Sequence, residues 1–118
     1  METKLYDREL KVMEILWKQG EVTAKKIAEE LDRQIGWSKT TTYTVIKKCI
    51  NKGAIERKEP NFTCRPLISK EEAQKYETRE LIEKMYDGCP DQLIAALIGE
   101  KSLDQAGILR LKELVKDL

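Results

Sequence analysis

The 118-residue sequence predicts a mainly α-helical fold with a small β-hairpin. Three observations predict it. Apolar residues recur at helical spacing in successive segments along the chain. Ser, Thr or Asp residues stand where helices would begin, and glycines where they would end. After the third of these segments, two β-capable runs flank a Pro-Asn turn.

The first helix is expected over 5–19, with Leu10, Met13, Leu16 and Trp17 on one face, Val12 and Ile15 widening it, Asp7 as N-cap and Gly20 as the stop. Glu21-Val22-Thr23 is short and β-tending, and Thr23 can cap a second helix carrying Ala24, Ile27, Ala28 and Leu31 on its face. Lys26 stands where a capping box needs Glu, so that cap is half built. Ser38 is the next N-cap. The third helix runs over 38–52 with Val45, Ile46, Cys49 and Ile50 inward and Gly53 at its end. Its β-branched Thr40, Thr41, Thr42 and Thr44 lower helix propensity, so tertiary packing must hold it. The strands are expected over 54–58 and 62–65, with Phe62 and Cys64 alternating in the second and Pro66 ending it. Ser69 and Glu72 form a capping box for a helix over 70–86. After the break at Asp87-Gly88-Cys89-Pro90, a shorter helix carries Leu93, Ile94, Leu97 and Ile98, and a last one spans 102–116. Three helices followed by a hairpin make a winged helix-turn-helix. The division expected is therefore a winged-helix domain at 1–68 and a C-terminal helical dimerisation region at 69–118.

Composition narrows the function. The net charge is +1, but residues 1–68 hold 14 Lys/Arg against 10 Asp/Glu, and residues 69–118 hold 8 against 11. Such asymmetry suits one basic binding end and one non-binding end. The opening METKLYDREL lacks the apolar core of an export signal. No run approaches the ~18 apolar residues of a membrane span, so no membrane partner is expected. Cys49, Cys64 and Cys89 are odd in number and widely spaced, which fits reduced thiols in the cytoplasm. The chain has no histidine, which removes imidazole bases and His-containing metal sites. With no Gly-rich phosphate loop or carboxylate cluster either, neither an enzyme nor a cofactor or metal site is expected.

The functional signal lies in the third helix. The 23 residues 33–55 contain no acid, in a chain with 21 Asp/Glu, and they contain Arg33, Lys39, Lys47, Lys48 and Lys52. The outward positions of the third helix hold Ser38, Lys39, Thr41, Tyr43, Thr44, Lys47 and Lys48. These groups bond phosphate oxygens and base edges, and a recognition helix enters the major groove N-terminus first. Arg57 and Lys58 before the turn, and Arg65 after it, can bring the hairpin against the sugar-phosphate backbone, although Glu59 at its tip would repel phosphate. Trp17 and Trp37 read as core or rim residues, as do Cys49 and Cys64, while Cys89 falls at a break. In the C-terminal region Leu81, Ile82, Met85, Leu93, Ile94, Leu97, Leu111 and Leu114 form apolar faces that about 50 residues shield only partly. A second copy of the chain is the expected cover, giving a homodimer that reads an inverted repeat. The function expected is a transcriptional repressor that binds duplex operator DNA and blocks the promoter. The other reading is a winged-helix protein-interaction module without DNA binding.

The runs Leu10-Lys11-Val12-Met13-Glu14-Ile15-Leu16-Trp17, Gly20-Glu21-Val22-Thr23-Ala24, Ile27-Ala28-Glu29-Glu30-Leu31, Gly36-Trp37-Ser38-Lys39-Thr40-Thr41 and Lys52-Gly53-Ala54-Ile55 occur in a recognisable order. With the exit Pro66-Leu67-Ile68-Ser69-Lys70-Glu71-Glu72, they resemble the penicillinase repressor (BlaI/MecI/CopY) family of winged-helix transcriptional regulators. The resemblance implies a dimeric bacterial repressor that reads inverted repeats with TACA/TGTA-like half-sites. The fold and DNA binding carry over from the family but the inducing signal does not, which leaves a sensor protease or another inducing partner open. Penicillinase repressors are cleaved at an Asn-Phe bond in the C-terminal helices, but the comparable stretch here reads Ala96-Leu97-Ile98-Gly99-Glu100. The paired Cys-x-Cys motifs of copper-responsive members are missing, and the turn Glu59-Pro60-Asn61 lacks the family's frequent Gly-Arg.

Overall fold

The structure is a computed structural model that describes residues 4–118. Its elements are α1 (Asp7–Gln19), β1 (Val22–Thr23), α2 (Ala24–Ile35), α3 (Lys39–Asn51), β2 (Ile55–Lys58), β3 (Thr63–Pro66), α4 (Lys70–Met85), α5 (Pro90–Gly99) and α6 (Gln105–Val115). The chain divides into two compact units, with the boundary between Glu77 and Thr78 inside α4.

Local chemistry explains most helix starts. The Thr23 hydroxyl accepts the Lys26 N–H at 3.1 Å, and the Ser38 hydroxyl accepts the Thr41 N–H at 3.1 Å. Ser69 and Glu72 exchange side-chain and backbone bonds at 3.0 Å each, closing the capping box that opens α4. The Ser69 backbone N–H on its carboxylate holds Glu72 below the usual carboxylate range. Gly36 ends α2 at φ 71°, a left-handed position that suits glycine, and donates its N–H to the Asp32 carbonyl at 2.9 Å.

Several boundaries differ from the sequence reading. Helix α1 starts at Asp7 with Tyr6 as its cap residue, because Leu5 is drawn into the core and the Glu9 carboxylate accepts the Tyr6 N–H at 2.8 Å. Helix α6 starts at Gln105 instead of residue 102, because Asp104 caps it by accepting the Gly107 N–H at 2.7 Å. The expected hairpin is a three-stranded sheet of order β1-β3-β2. Val22 and Thr23 pair antiparallel with Cys64 and Thr63, on the side of β3 away from β2. Phe62 does not alternate with Cys64 in a strand. It lies in the loop before β3 at φ 50°, and its ring is half-buried.

The first unit holds a single core. Val12, Met13 and Leu16 from α1 meet Ile27 and Leu31 from α2, Ile46 and Cys49 from α3, and Ile55 and Cys64 from the sheet, all essentially inaccessible to water. Each fully buried aliphatic side chain contributes about 1.5–3 kcal/mol. The three helices and the sheet thereby fix the pose of α3, whatever its threonines cost in propensity.

One ion pair is built into this unit. Lys52, just past α3, donates to Glu9 Oε1 at 2.6 Å and to the Lys4 carbonyl at 2.8 Å, and its Nζ lies 4.9 Å from the Tyr6 ring centroid. Glu9 is only 5% exposed. Removing one partner of a buried pair leaves the other charge uncompensated, which costs about 3–5 kcal/mol. Lys52 keeps some solvent access, so Glu9→Ala should cost about 2–4 kcal/mol on that scale. At roughly 4–8 °C per kcal/mol for a unit of this size, the thermal unfolding midpoint should fall by about 8 °C or more. A midpoint within about 3 °C of wild type would show that the pair contributes little.

The second unit is constructed differently. Within 78–118 the only buried residue is Gly107, which has no side chain to contribute to a core. Leu81, Met85, Ile94, Leu97, Ile98, Leu109, Leu114 and Val115 are all exposed, with Ile98 at 53% and Leu114 at 74%. No helix among the described residues is long and apolar enough to cross a membrane.

Candidate nucleic-acid interface

Helix α3 presents two chemically distinct sides. Thr42, Val45, Ile46 and Cys49 are buried. Ser38, Lys39, Thr44, Lys47 and Lys48 are exposed, while Thr41 and Tyr43 are half-buried. The helix therefore brings the sequence-predicted group together on one outward surface. Lys39, Lys47 and Lys48 make no ion pair among the described residues, so their charges are available to a polyanion. Two of the hydroxyls donate locally. Ser38 Oγ donates to Thr41 Oγ1 at 3.0 Å, and Thr44 Oγ1 donates to the Thr40 carbonyl at 2.9 Å. Such local bonds leave each oxygen free to accept one more.

The hairpin cations are held differently. Arg57 Nε donates to Glu59 at 2.6 Å, and Lys58 donates to Glu21 at 2.9 Å across to the segment before β1. Arg65 donates to Glu56 at 2.9 Å, opposite it in the β2–β3 register, and holds that carboxylate below its usual range. Arg57 and Lys58 are exposed, so these are surface pairs that exchange readily for another anion. The acid at the hairpin tip thus occupies the Arg57 guanidinium.

Four features lay outside the sequence reading. Lys52, one of the five cations in the acid-free run, is half-buried and turned inward onto Glu9, away from the outward side of α3. The Phe62 ring packs edge-to-face on Tyr43, at 5.7 Å between centroids and 89° between planes. Arg57 lies over the same Phe62 ring at 3.7 Å. Arg8, from the first turn of α1, lies 5.2 Å from the ring centroid of half-buried Trp37. Only the Phe62 pairing had a signal in the sequence, a lone phenylalanine beside Pro60-Asn61. Trp17 is a rim residue as expected, its Nε1 donating to the Ile68 carbonyl at 2.9 Å.

The cysteines are inert where they are buried. Burial pushes the Cys49 thiol up to about 12 and the Cys64 thiol up to about 11. Cys89 is half-buried, its Sγ donating to the Asp87 carbonyl at 3.6 Å. Among the described residues no group of three or more His, Cys, Asp or Glu is placed to hold a metal ion. Both raised thiols bind protons more tightly folded than unfolded. Their contribution is complete below the unfolded value near 9 and is lost as pH climbs toward 11–12. Unfolding free energy measured by denaturant titration should therefore fall above pH ~9. It should fall less steeply in Cys49→Ala and Cys64→Ala, and equal slopes in all three proteins would count against the thiols as the cause.

The apolar positions expected to pair copies also have places. Leu81, Met85, Ile94, Leu97 and Leu114 are exposed, while Ile82, Leu93 and Leu111 are half-buried.

Three helices, a core-anchored third helix with a polar cationic face and a small antiparallel sheet beside it define a winged-helix protein. Solved structures agree. The DNA-binding domain of the repressor BlaI superposes with TM-score 0.56 at 27% identity, covering 61% of this chain and 90% of that one. The Bacillus licheniformis BlaI monomer in complex with the blaP half-operator superposes with TM-score 0.53 over the same shares. The sequence family described as penicillinase repressor matches residues 5–117, and the chain belongs to that family. It is 29% identical over 120 residues to the methicillin resistance regulatory protein MecI of Staphylococcus aureus, with 98% of each chain covered. It is 22% identical over 116 residues to the penicillinase repressor of Bacillus licheniformis, covering 97% of this chain and 91% of that one.

Proposed function

We propose that this chain is a transcriptional repressor that binds operator DNA as a homodimer and occludes the promoter. The observation that carries the reading is the outward side of α3, where Lys39, Lys47 and Lys48 make no ion pair among the described residues and stand beside Ser38, Thr41 and Thr44. The lysines supply phosphate neutralisation, and the hydroxyls supply donors and acceptors for base edges. Arg57 and Lys58 add phosphate contacts from the wing once their surface carboxylates are exchanged. A solved relative bound to a half-operator supports the same use of the fold.

The exposed leucines and isoleucines of the second unit support the dimer. A 41-residue unit in which glycine is the only buried residue does not stand alone in water. Covering those side chains with a second copy supplies the missing core and pairs two recognition helices for an inverted repeat. An inducing partner, such as a sensor protease, would then release the DNA. The C-terminal end of α5 reads Ala96-Leu97-Ile98-Gly99 and offers no Asn-Phe bond for such a protease to cut.

The test is fluorescence anisotropy on a labelled inverted-repeat duplex from the chain's own promoter, repeated from 50 to 300 mM salt. Affinity should fall steeply, at about 0.9 in log–log slope for each phosphate neutralised. Binding that does not respond to salt, or no shift at all at low salt, would leave the protein-interaction reading in its place.

A further inference from the structure

A continuous row of side chains joins the recognition helix to the wing. Lys39 Nζ lies 5.6 Å from the Tyr43 ring centroid, one turn along α3. The Tyr43 ring meets Phe62 edge-to-face, and Phe62 carries the Arg57 guanidinium 3.7 Å from its centroid. The Phe62 backbone is tied as well, since its carbonyl accepts the N–H of Ala24, the first residue of α2, at 2.9 Å. Asn61 and Phe62 stand at φ 70° and 50°, left-handed positions that non-glycine residues rarely occupy and that surrounding contacts must hold. Phe62 is thus fastened to α2 by its backbone, to α3 by its ring edge geometry, and to β2 through Arg57.

We infer that Phe62 is a positioning residue for DNA binding. It locks the wing to the recognition helix, so that Arg57 and Lys39 present their charges in one fixed row along the phosphate backbone. The inference rests on the DNA-binding reading above and assigns Phe62 a role within it. It also gives Tyr43 a different task from its neighbours. Its ring serves the tether, while Thr44 and Lys47 remain exposed to the groove. The physical basis is pre-organisation. A guanidinium stacked on an aromatic face loses less freedom on meeting phosphate than one on a free side chain. An aromatic edge-to-face pair also holds two elements at a defined distance. The Glu59 carboxylate that Arg57 now contacts would yield to phosphate without Arg57 leaving the ring.

The experiment measures salt-dependent binding to a fluorescein-labelled mixed-sequence duplex of about 30 base pairs, together with thermal unfolding of each variant. Phe62→Leu should weaken binding about tenfold near 0.1 M salt and make the log–log salt slope shallower by about 0.9, the loss of one phosphate contact. Phe62→Tyr, which keeps the ring, should restore both. Tyr43→Leu cuts the tether from the helix side and should reproduce the loss, whereas Tyr43→Phe should not. Phe62→Leu combined with Arg57→Ala should lose no more than either alone, because both act on the same contact. If Phe62→Leu does not fold, the Tyr43 pair carries the test unchanged.

A wild-type protein that ignores the duplex overturns the DNA-binding reading and this inference together. A wild type with a steep salt slope that Phe62→Leu or Tyr43→Leu leaves intact overturns the tether alone. Losses that add fully between Phe62 and Arg57 do the same. A simple structural defect would lower the unfolding midpoint without changing the slope of the folded fraction, and that outcome too counts against the inference.

Discussion

Replacing Lys39, Lys47 and Lys48 together with alanine is expected to abolish operator binding at physiological salt while leaving the fold intact. All three are exposed and none forms an ion pair among the described residues, so the substitutions remove charge without opening the core. If each neutralises one phosphate, the log–log salt slope becomes shallower by about 2.7 in total. Near 0.1 M salt that corresponds to roughly two to three orders of magnitude in affinity. The loss should be similar for operator and unrelated duplexes, since phosphate contacts carry no sequence information. Thr44→Ala should behave differently. The helical fold should persist, yet the ranking among operator variants should change, because a hydroxyl facing the groove reads base edges. Fluorescence anisotropy on an operator and a scrambled duplex separates the two effects. Affinity within threefold of wild type in the triple variant would remove this face of α3 from the DNA contact.

The parts of this architecture that could be read in the sequence are those set over three or four residues. Thr23, Ser38 and the Ser69/Glu72 box announce their helices because a cap and the N–H it accepts are neighbours in the chain. The same holds for the inward faces of α1, α2 and α3, which follow from helical periodicity. What escaped the sequence is set by distance along the chain. Glu9 and Lys52 are 43 residues apart, so nothing local marks Lys52 as different from Lys47 or Lys48. Val22 and Thr23 are too short a run to declare a strand, and become one only because β3 is folded against them. Phe62 read as a strand residue by alternation with Cys64, but the loop carries it into the left-handed region and delivers its ring to α3. At the start of α6 two side chains could serve as caps, Ser102 and Asp104. Asp104 takes the role with a 2.7 Å bond to Gly107, while the Ser102 hydroxyl donates to Glu100. For the interface, residue type and helical spacing located the cationic face. The division of labour within it, with Lys52 inward on Glu9 and Tyr43 against Phe62 of the wing, depended on tertiary packing.

Charging the apolar face of α5 should separate copies of the chain and, with them, the recognition of a full operator. Ile94, Leu97 and Ile98 lie within five residues of one helix, and all are exposed. Burying one such side chain in a dimer contributes about 1.5–3 kcal/mol, and a carboxylate placed there adds the cost of desolvating a charge. Ile94→Glu combined with Leu97→Glu should therefore remove several kcal/mol from association on that scale, enough to shift a micromolar dimer to monomer. The core of the first unit contains none of these positions, so the winged helix should stay folded. Its binding to a duplex carrying a single half-site should be unchanged. Binding to the full inverted repeat should fall by two or more orders of magnitude, because the second recognition helix no longer arrives at the high effective concentration that linkage provides. Sedimentation analysis and anisotropy on the two duplexes, run on the same samples, read both halves of the expectation. A variant that stays dimeric would place the contact elsewhere in 78–118. A monomer that still holds the full repeat as tightly as wild type would show that pairing of copies contributes nothing to operator binding.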